Sequence, residues 1–239
     1  MAKKSTIGKQ SSEGAVRAGS AGGLSRNALL LIVTGVVLAV ALIIILQQTL
    51  LRGSNAAVSG GPATQAGSEA GPADAAVTVA VYSDFQCSHC KSYMQAVESS
   101  LLPEFVDTGK VRYDYRHFIV ISRESYDAAN ASECAGEQGF FWPYHDLLFE
   151  QQGLQGRDTV SKTNLKALGK RIAGLDLSQF DACVDTGNYV EQVYREMQEG
   201  KDKGVTGTPA VFVNDKKLDN GQDYQQVKAA IEAAGGSVA

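Results

Sequence analysis

The chain has 239 residues, of which 44% are hydrophobic and 20% are charged, with 25 glycines and 5 prolines. This composition is that of a globular protein, and it excludes a wholly disordered or collagen-like chain. The net charge of −4, from 22 basic and 26 acidic residues, argues against nucleic acid as a partner. Four cysteines are too few for a disulfide-dense small domain and suit a metal site or one or two redox pairs.

The N-terminal quarter predicts a single membrane anchor. Residues 1–27 are polar and carry five basic residues against a single acidic one, whereas residues 28–51 are uncharged and almost entirely apolar. About 20 helical residues cross the hydrocarbon layer of a membrane, so this segment is long enough to span it and contact lipid. The excess of basic residues in front predicts a cytoplasmic N-terminus and an extracytoplasmic remainder at the cell membrane. A cleaved signal peptide is the alternative, although its apolar region is normally shorter, about 7–15 residues.

The remaining chain divides by composition into a linker and one domain. Residues 52–75 are mostly Gly, Ala, Ser and Pro, which bury too little apolar surface to order the chain, so we expect a flexible linker. Residues 76–239 have the length of one domain, and their patterning predicts mixed α/β structure. The predicted strands cover residues 76–85, 110–120 and 210–213; the predicted helices run from the first cysteine pair to about 108, over 122–174 with breaks near 143 and 153–158, over 178–204 without a break, and over 224–234.

The sequence Cys87-Ser88-His89-Cys90 directly follows the first predicted strand. Cys90 falls on the apolar face of the next helix, and Cys87 falls on the opposite side, so we expect Cys87 to be exposed and Cys90 to be buried. The N–H groups at the start of a helix stabilise a thiolate, and a second thiol one turn away can close a disulfide with it. Zinc is the competing interpretation, but structural zinc sites commonly use two Cys-x-x-Cys pairs and this chain has one.

A second motif gives these cysteines a family context. DFQCSHC after a strand, a long helical stretch and then GVTGTPAVFVN before a terminal helix together resemble the DsbA-like oxidoreductases over residues 76–235. The resemblance implies an α/β thioredoxin-like fold with a helical insertion. It implies that Cys87 is the attacking cysteine and Cys90 the resolving one. It also implies a cis-proline at Pro209, which would turn the backbone of Thr208 toward an extended substrate peptide.

Three further positions are interpreted through the resemblance. Ser88 and His89 occupy the positions that tune the acidity of the attacking cysteine, and an imidazole there favours a thiolate and an oxidising disulfide; an exposed His89 without a role is the alternative. Val81 stands where thioredoxin-like proteins often bury an Asp or Glu that exchanges protons with the resolving thiol. Asp84 is nearer in sequence, but we expect it to be an exposed loop carboxylate.

Cys134 and Cys183 resemble a second disulfide found in the helical insertion of some DsbA-like proteins, and this implies a structural disulfide. Two free buried thiols are the alternative, and a catalytic shuttle is a more distant one. The aromatic segment around residues 140–149 is interpreted as core packing, with a substrate groove as the alternative. His117 and His145 are interpreted as structural histidines, because neither has a nucleophile or a ligand set at a suitable spacing.

These features predict a membrane-anchored, extracytoplasmic thiol:disulfide oxidase that needs no soluble cofactor and no metal. Its implied partners are reduced or unfolded exported proteins and a membrane quinone-linked reoxidase of the DsbB or VKOR-like kind. A disulfide reductase or isomerase using the same cysteines is the alternative enzyme. A non-catalytic module that binds metal or unfolded chains through those cysteines is the non-enzymatic alternative.

Overall fold

A computed structural model of the chain describes residues 27, 32, 35–40, 65–153 and 160–236. The chain divides into two units, Met1–Asn55 and Ala56–Ala239. Within the described residues, none of the helices is both long and apolar enough to cross a membrane. The predicted tail and anchor, residues 1–51, lie outside the described residues except for 27, 32 and 35–40, which are helical.

The second unit is organised around one mixed β-sheet. Its described strands are β1 (Gln65–Ala66), β2 (Glu69–Ala70), β3 (Val77–Ser83), β4 (Val111–His117), β5 (Ala210–Val213) and β6 (Lys216–Lys217). Their order across the sheet is β1–β2–β4–β3–β5–β6. The central pair, β3 and β4, is parallel, and the other neighbours are antiparallel. A parallel central pair with an antiparallel β5 beside it sets the position of the first cysteine pair, which follows β3.

The helices fall into a part that crosses from β3 to β4, a group inserted between β4 and β5, and one after β6. They are α1 (Ser88–Tyr93), α2 (Ser99–Leu101), α3 (Ser125–Gly136), α4 (Phe141–Gln151), α5 (Lys162–Gly169), α6 (Leu177–Thr186), α7 (Val190–Asp202) and α8 (Tyr224–Ala233). Wider π-helical turns, Met94–Glu98 and Leu102–Val106, join α1 to α2 and extend α2. The second includes Pro103, which has no N–H to donate to a regular helical ladder.

The core lies between the sheet and the crossing helix. Val77, Val79 and Val81 of β3 are fully buried, and Val97 and Leu101 of the crossing helix belong to the same apolar cluster. Burying a side chain of this size contributes about 1.5–3 kcal/mol. The alternating valines therefore fix which face of β3 meets the helix that carries the cysteine pair.

The predicted linker over residues 52–75 is too long at its C-terminal end. β1 and β2 form a hairpin on the edge of the sheet, where Glu69 lies opposite Asp114 and Ala70 opposite Tyr113. Arg112 adds an ion pair to Glu69 at 2.7 Å. Because backbone pairing with β4 and the burial of one small side chain, Ala70, hold this segment, its composition gave no sign of it.

Two predicted helix boundaries are also wrong. The single helix predicted over residues 178–204 is two helices, because α6 ends at Thr186, the next residue Gly187 has a left-handed φ of 70°, and α7 begins at Val190. The break predicted near residue 143 lies earlier, between α3 and α4. Pro143 is in the first turn of α4, where its missing N–H costs nothing because those N–H groups have no partner within a helix.

Candidate active site

The Cys-x-x-Cys motif lies at the junction of β3 and α1. Cys87 has an extended backbone, and its carbonyl accepts hydrogen bonds from the amides of Cys90 at 3.1 Å and Lys91 at 3.2 Å. Both cysteines are free thiols. The first helical turn therefore holds the two cysteines one turn apart, and the Cys90 thiol acts on the acidity of Cys87.

The expectation that Cys87 is exposed is wrong. Only 5% of Cys87 is exposed to solvent, against 1% of Cys90. The reason is the loop before β5, which packs against the motif across 121 residues of sequence: the Cys87 thiol donates to the carbonyl oxygen of Thr208 at 3.5 Å. Helical periodicity reports which face of a helix is apolar, but it does not report a distant loop that covers the other face.

The pKa values of the two thiols are shifted in opposite directions. The pKa of Cys87 is lowered to about 5, chiefly by the hydrogen bond from Cys90, with help from Thr208 and from the backbone N–H groups of Cys90 and His89, which together outweigh the effect of burial. The pKa of Cys90 is raised, chiefly by burial and also by its hydrogen bond to Cys87. Cys87 is therefore a thiolate at neutral pH beside a protonated Cys90.

The peptide bond between Thr208 and Pro209 is cis. It lies immediately before β5, which pairs with β3 so that Ala210 is opposite Tyr82. This pairing holds the cis-proline loop against the end of β3, where the cysteine motif begins. The carbonyl oxygen of Thr208 accepts a hydrogen bond from the Cys87 thiol at 3.5 Å, so the loop is part of the reactive centre.

Asp84 contradicts the sequence interpretation, because it is buried with 1% exposure. One carboxylate oxygen accepts the backbone N–H of Gln86 at 2.9 Å, and the other accepts those of Val120 at 2.9 Å and Ile121 at 3.0 Å. Gln86 in turn accepts hydrogen bonds from the hydroxyl groups of two serines after β4. The carboxylate thus joins the turn before Cys87 to the loop that follows β4.

Gln152, at the end of α4, is a second connection that sequence reasoning missed. Its side-chain nitrogen donates to the carbonyl oxygens of Phe85 at 2.8 Å and Cys87 at 3.0 Å. In return, the ammonium group of Lys91 donates to the carbonyl of Gln152 at 3.1 Å. These contacts span more than 60 residues of sequence, and they tie the helical insertion to the cysteine turn. No local pattern could have indicated them.

Comparison with known proteins agrees with this geometry. Residues 64–233 match the thioredoxin family. The chain belongs to the thioredoxin family. Disulfide bond formation protein D of Bacillus subtilis is 30% identical over 180 residues, which cover 74% of this chain and 81% of that protein. The predicted membership among DsbA-like thiol:disulfide oxidoreductases is confirmed.

Solved structures agree on the fold of this DsbA-like oxidoreductase. The crystal structure of oxidised BdbD from Bacillus subtilis superposes with a TM-score of 0.65 at 28% identity, covering 74% of this chain and 97% of that one. The crystal structure of Chlamydia trachomatis DsbA superposes with a TM-score of 0.63 at 18% identity, covering 74% and 93%. The predicted thioredoxin-like fold of the domain is confirmed.

The remaining predicted tuning residues of the DsbA-like oxidoreductase lie at the rim of the centre. Ser88 and His89 are exposed, and the backbone N–H of His89 acts on the Cys87 sulfur. The effect of the His89 imidazole stays a prediction. Val81 is fully buried in β3, and its apolar side chain has no group that exchanges protons.

The second cysteine pair of the DsbA-like oxidoreductase is joined. Cys134 of α3 and Cys183 of α6 form a disulfide with an S–S distance of 1.99 Å, and both are buried. The bond therefore lies inside the helical insertion and links two of its helices. Its structural role stays a prediction.

Two buried histidines flank the aromatic core near the site. The Nε2 atom of His117 lies 2.9 Å from a carboxylate oxygen of Glu133. His145 lies between Asp146, at 2.9 Å, and the buried Glu98, at 3.6 Å. Among the described residues, Glu98, His145 and Asp146 form the group whose possible ligand atoms lie as close together as a metal site requires. The cysteines are not part of this group. Burial and a carboxylate partner for each ring suit structural histidines.

Proposed function

We propose that this DsbA-like oxidoreductase is an extracytoplasmic oxidase that donates the Cys87–Cys90 disulfide to exported proteins with reduced cysteine pairs. The lowered pKa of Cys87, about 5, carries the proposal. A thiolate that is stable at neutral pH lowers the free energy of the reduced pair, and this makes the disulfide a stronger oxidant. A protein that works as a reductase needs the opposite balance.

The reaction then has two exchange steps. A substrate thiolate attacks the sulfur of Cys87, the bond to Cys90 breaks, and a mixed disulfide forms. The second substrate thiol, as a thiolate, attacks the substrate sulfur in that bond and releases Cys87 as a stable thiolate. The backbone around Thr208 would pair with the extended substrate chain during both steps. Two electrons pass from substrate to protein, and a membrane quinone-linked partner of the DsbB or VKOR-like kind would take them up.

The apolar segment over residues 28–51 supports a membrane location for this chemistry. It would hold the catalytic unit at the outer face of the cell membrane, next to such a reoxidase. Extraction of membranes at alkaline pH tests this: the full chain should stay in the membrane pellet, and a membrane-impermeant maleimide should label Cys87 in intact cells after mild reduction. Recovery in the soluble fraction, or protection from the reagent, would contradict the location.

The reduction potential of the full chain decides between oxidase and reductase. The chain is equilibrated in glutathione buffers, quenched in acid, alkylated and mapped by mass spectrometry. A potential well above about −180 mV supports disulfide donation, whereas a value near −270 mV, that of thioredoxin, refutes it. Catalytic oxidation of a reduced, unfolded protein separates the proposal from a non-catalytic binding module, which would show no turnover. Unscrambling of mispaired disulfides at a higher rate than oxidation would favour an isomerase.

A further inference from the structure

Three loops meet at the edge of the sheet where the cysteine motif lies. β3 and β4 are parallel and end side by side, with Ser83 opposite His117. β5 is antiparallel to β3 and begins at the same edge, with Ala210 opposite Tyr82. The turn before Cys87, the cis-proline loop and the loop after β4 therefore share this edge, which is where open α/β sheets bind their ligands. The first two loops form the reactive centre, and the third borders it.

The loop after β4 exposes two adjacent branched apolar side chains. Phe118 and Ile119, the first residues after the strand, are buried, but Val120 is 42% exposed and Ile121 is 52% exposed. Apolar side chains in water lack the hydrophobic stabilisation that contact with a partner would give them. The pair is therefore a candidate contact surface for a molecule that is bound at the neighbouring cysteine.

A buried carboxylate fixes the position of this pair. One oxygen of Asp84 accepts the backbone N–H groups of Val120 at 2.9 Å and Ile121 at 3.0 Å. The other oxygen accepts the N–H of Gln86 at 2.9 Å, and the backbone carbonyl of Asp84 accepts the N–H of Cys87 at 2.9 Å. Burying a carboxylate is costly, and among the described residues the hydrogen bonds that satisfy this one come from the backbone of these two segments. One side chain thus sets the spacing between the Cys87 turn and the exposed pair.

The covalent intermediate of disulfide exchange brings a substrate chain across this pair. In the mixed disulfide, the substrate sulfur is bonded to that of Cys87 at about 2.0 Å. An extended chain advances about 3.3–3.6 Å per residue, so a residue a few positions from the bonded cysteine covers the distance that one carboxylate spans between the Cys87 turn and Val120. Polypeptides that have not finished folding expose apolar residues. The occupant that fits the pair is therefore an apolar side chain of a polypeptide substrate.

We propose that Val120 and Ile121 are specificity-determining residues for thiol:disulfide exchange, which contact an apolar side chain within a few residues of the reactive cysteine of a polypeptide substrate. Asp84 is the positioning residue that holds them beside the Cys87 turn. The contact is noncovalent, and no proton or electron passes through any of these three side chains. It requires only a substrate bonded to Cys87, so the inference goes beyond the proposed function and does not depend on the direction of electron flow.

The test uses the oxidised full chain and two reduced peptides of equal length and charge, each with one cysteine. One peptide has leucine, and the other has serine, at the second and fourth positions on both sides of that cysteine. Opening of the Cys87–Cys90 disulfide is followed over a range of peptide concentrations by acid quenching, alkylation and mass spectrometry. The concentration that gives the half-maximal rate should be about tenfold lower for the leucine peptide, because the contact removes about half of two apolar side chains from water.

The variants test which residues carry this preference. Replacing both apolar residues, Val120→Ser with Ile121→Ser, should bring the two half-maximal concentrations within about twofold of each other. Asp84→Asn keeps both apolar side chains but exchanges one carboxylate oxygen for an amide nitrogen, so at least one backbone N–H loses its acceptor and the preference should fall to about threefold or less. Val190→Ser removes an exposed valine at the start of α7 and is the matched control, which should keep the wild-type preference.

The preference is a ratio of two peptides on one protein, so a general loss of stability or reactivity in a variant does not change it. A wild-type chain without a preference, a preference that survives in the double variant, or one that Val190→Ser also removes would overturn the inference. A full preference in Asp84→Asn would overturn the positioning role of Asp84. The reduction potential, which decides the proposed function, is measured separately: a value near that of thioredoxin would refute the oxidase and leave the peptide preference standing.

Discussion

Replacing Cys90 by alanine removes the contact that contributes most to the acidity of Cys87. A hydrogen bond to a charged group is worth about 1.5–3 kcal/mol, and one pKa unit corresponds to about 1.4 kcal/mol. The pKa of Cys87 should therefore rise by about one to two units from its value of about 5. The contributions of Thr208 and of the backbone N–H of His89 remain, so the pKa should stay below that of a free thiol, about 8.5.

The assay is the rate of iodoacetamide alkylation of Cys87 from pH 3 to 9, quantified on the peptide that contains it. The wild-type rate should follow a titration with a midpoint near 5, and the Cys90→Ala rate one with a midpoint of about 6 to 7. Cys134 and Cys183 are disulfide-bonded and should not react. Because the folded pKa lies below the unfolded one, the reduced protein should gain stability as pH rises from about 5 to 9 and lose it as pH falls through about 5.

Two results would refute this reasoning. A wild-type midpoint near 8.5 would mean that the surroundings of Cys87 do not stabilise its thiolate. An unchanged midpoint in Cys90→Ala would mean that the neighbouring thiol is not the main donor. Urea unfolding of the reduced protein at pH 4 and pH 8 provides an independent check, because the gain in stability between these two pH values should be smaller in Cys87→Ser, which has no thiol at this position, than in the wild type.

Other perturbations address the connections around the site. Replacing both Cys134 and Cys183 by alanine opens a loop with a sequence separation of 49 and should lower the free energy of unfolding by about 4 kcal/mol in the chain-entropy model, as measured in urea. Asp84→Ala leaves three backbone N–H groups without their acceptor and should cost about 2–4 kcal/mol on the same scale. Gln152→Ala removes two hydrogen bonds to the cysteine turn. It should lower the free energy of unfolding by about 1–2 kcal/mol and slow disulfide exchange at Cys87, followed by alkylation of the free thiols.

Each of these variants has a control. For the disulfide, the control is urea unfolding of the wild-type chain in the presence of a reductant. Its free energy of unfolding should fall by as much as that of the double cysteine variant, and a fall below about 1 kcal/mol in both would contradict the loop-closure argument. Asp74→Ala removes an exposed carboxylate and should leave stability unchanged, so an equal effect there would discount Asp84. Gln151→Ala changes the preceding amide on the same helix, and it should leave both stability and exchange unchanged if Gln152 acts through its two hydrogen bonds.

Local sequence predicted those parts of the molecule whose cause is local. The valine-rich run before the motif forms β3, and the spacing of Cys90, Val97 and Leu101 predicts the buried face of the crossing helix. The fold was predicted from the family resemblance that two motifs about 120 residues apart carry, and the structure brings the Thr208–Pro209 loop of the second motif beside Cys87.

Features that depend on distant contacts were not predictable from one sequence. Asp84 looked like a loop carboxylate because its partners, Val120 and Ile121, are 36 and 37 residues away. Cys87 looked exposed because the covering loop is 121 residues away. Gly187, which divides α6 from α7, carried a local signal, but its spacing from Cys183 and Val190 fits one stripe of a continuous helix, so the sequence interpretation carried the helix through it.

The buried disulfide between α3 and α6 is a bond of the kind that this protein is proposed to make. A protein proposed to make disulfide bonds in others thus contains one of its own, which links two helices of its helical insertion. The first copies of the chain to reach an oxidising compartment would thus be substrates of disulfide formation as well as enzymes that catalyse it. If the protein is the oxidase proposed above, newly made copies of the same chain, with Cys134 and Cys183 still reduced, belong to its substrates.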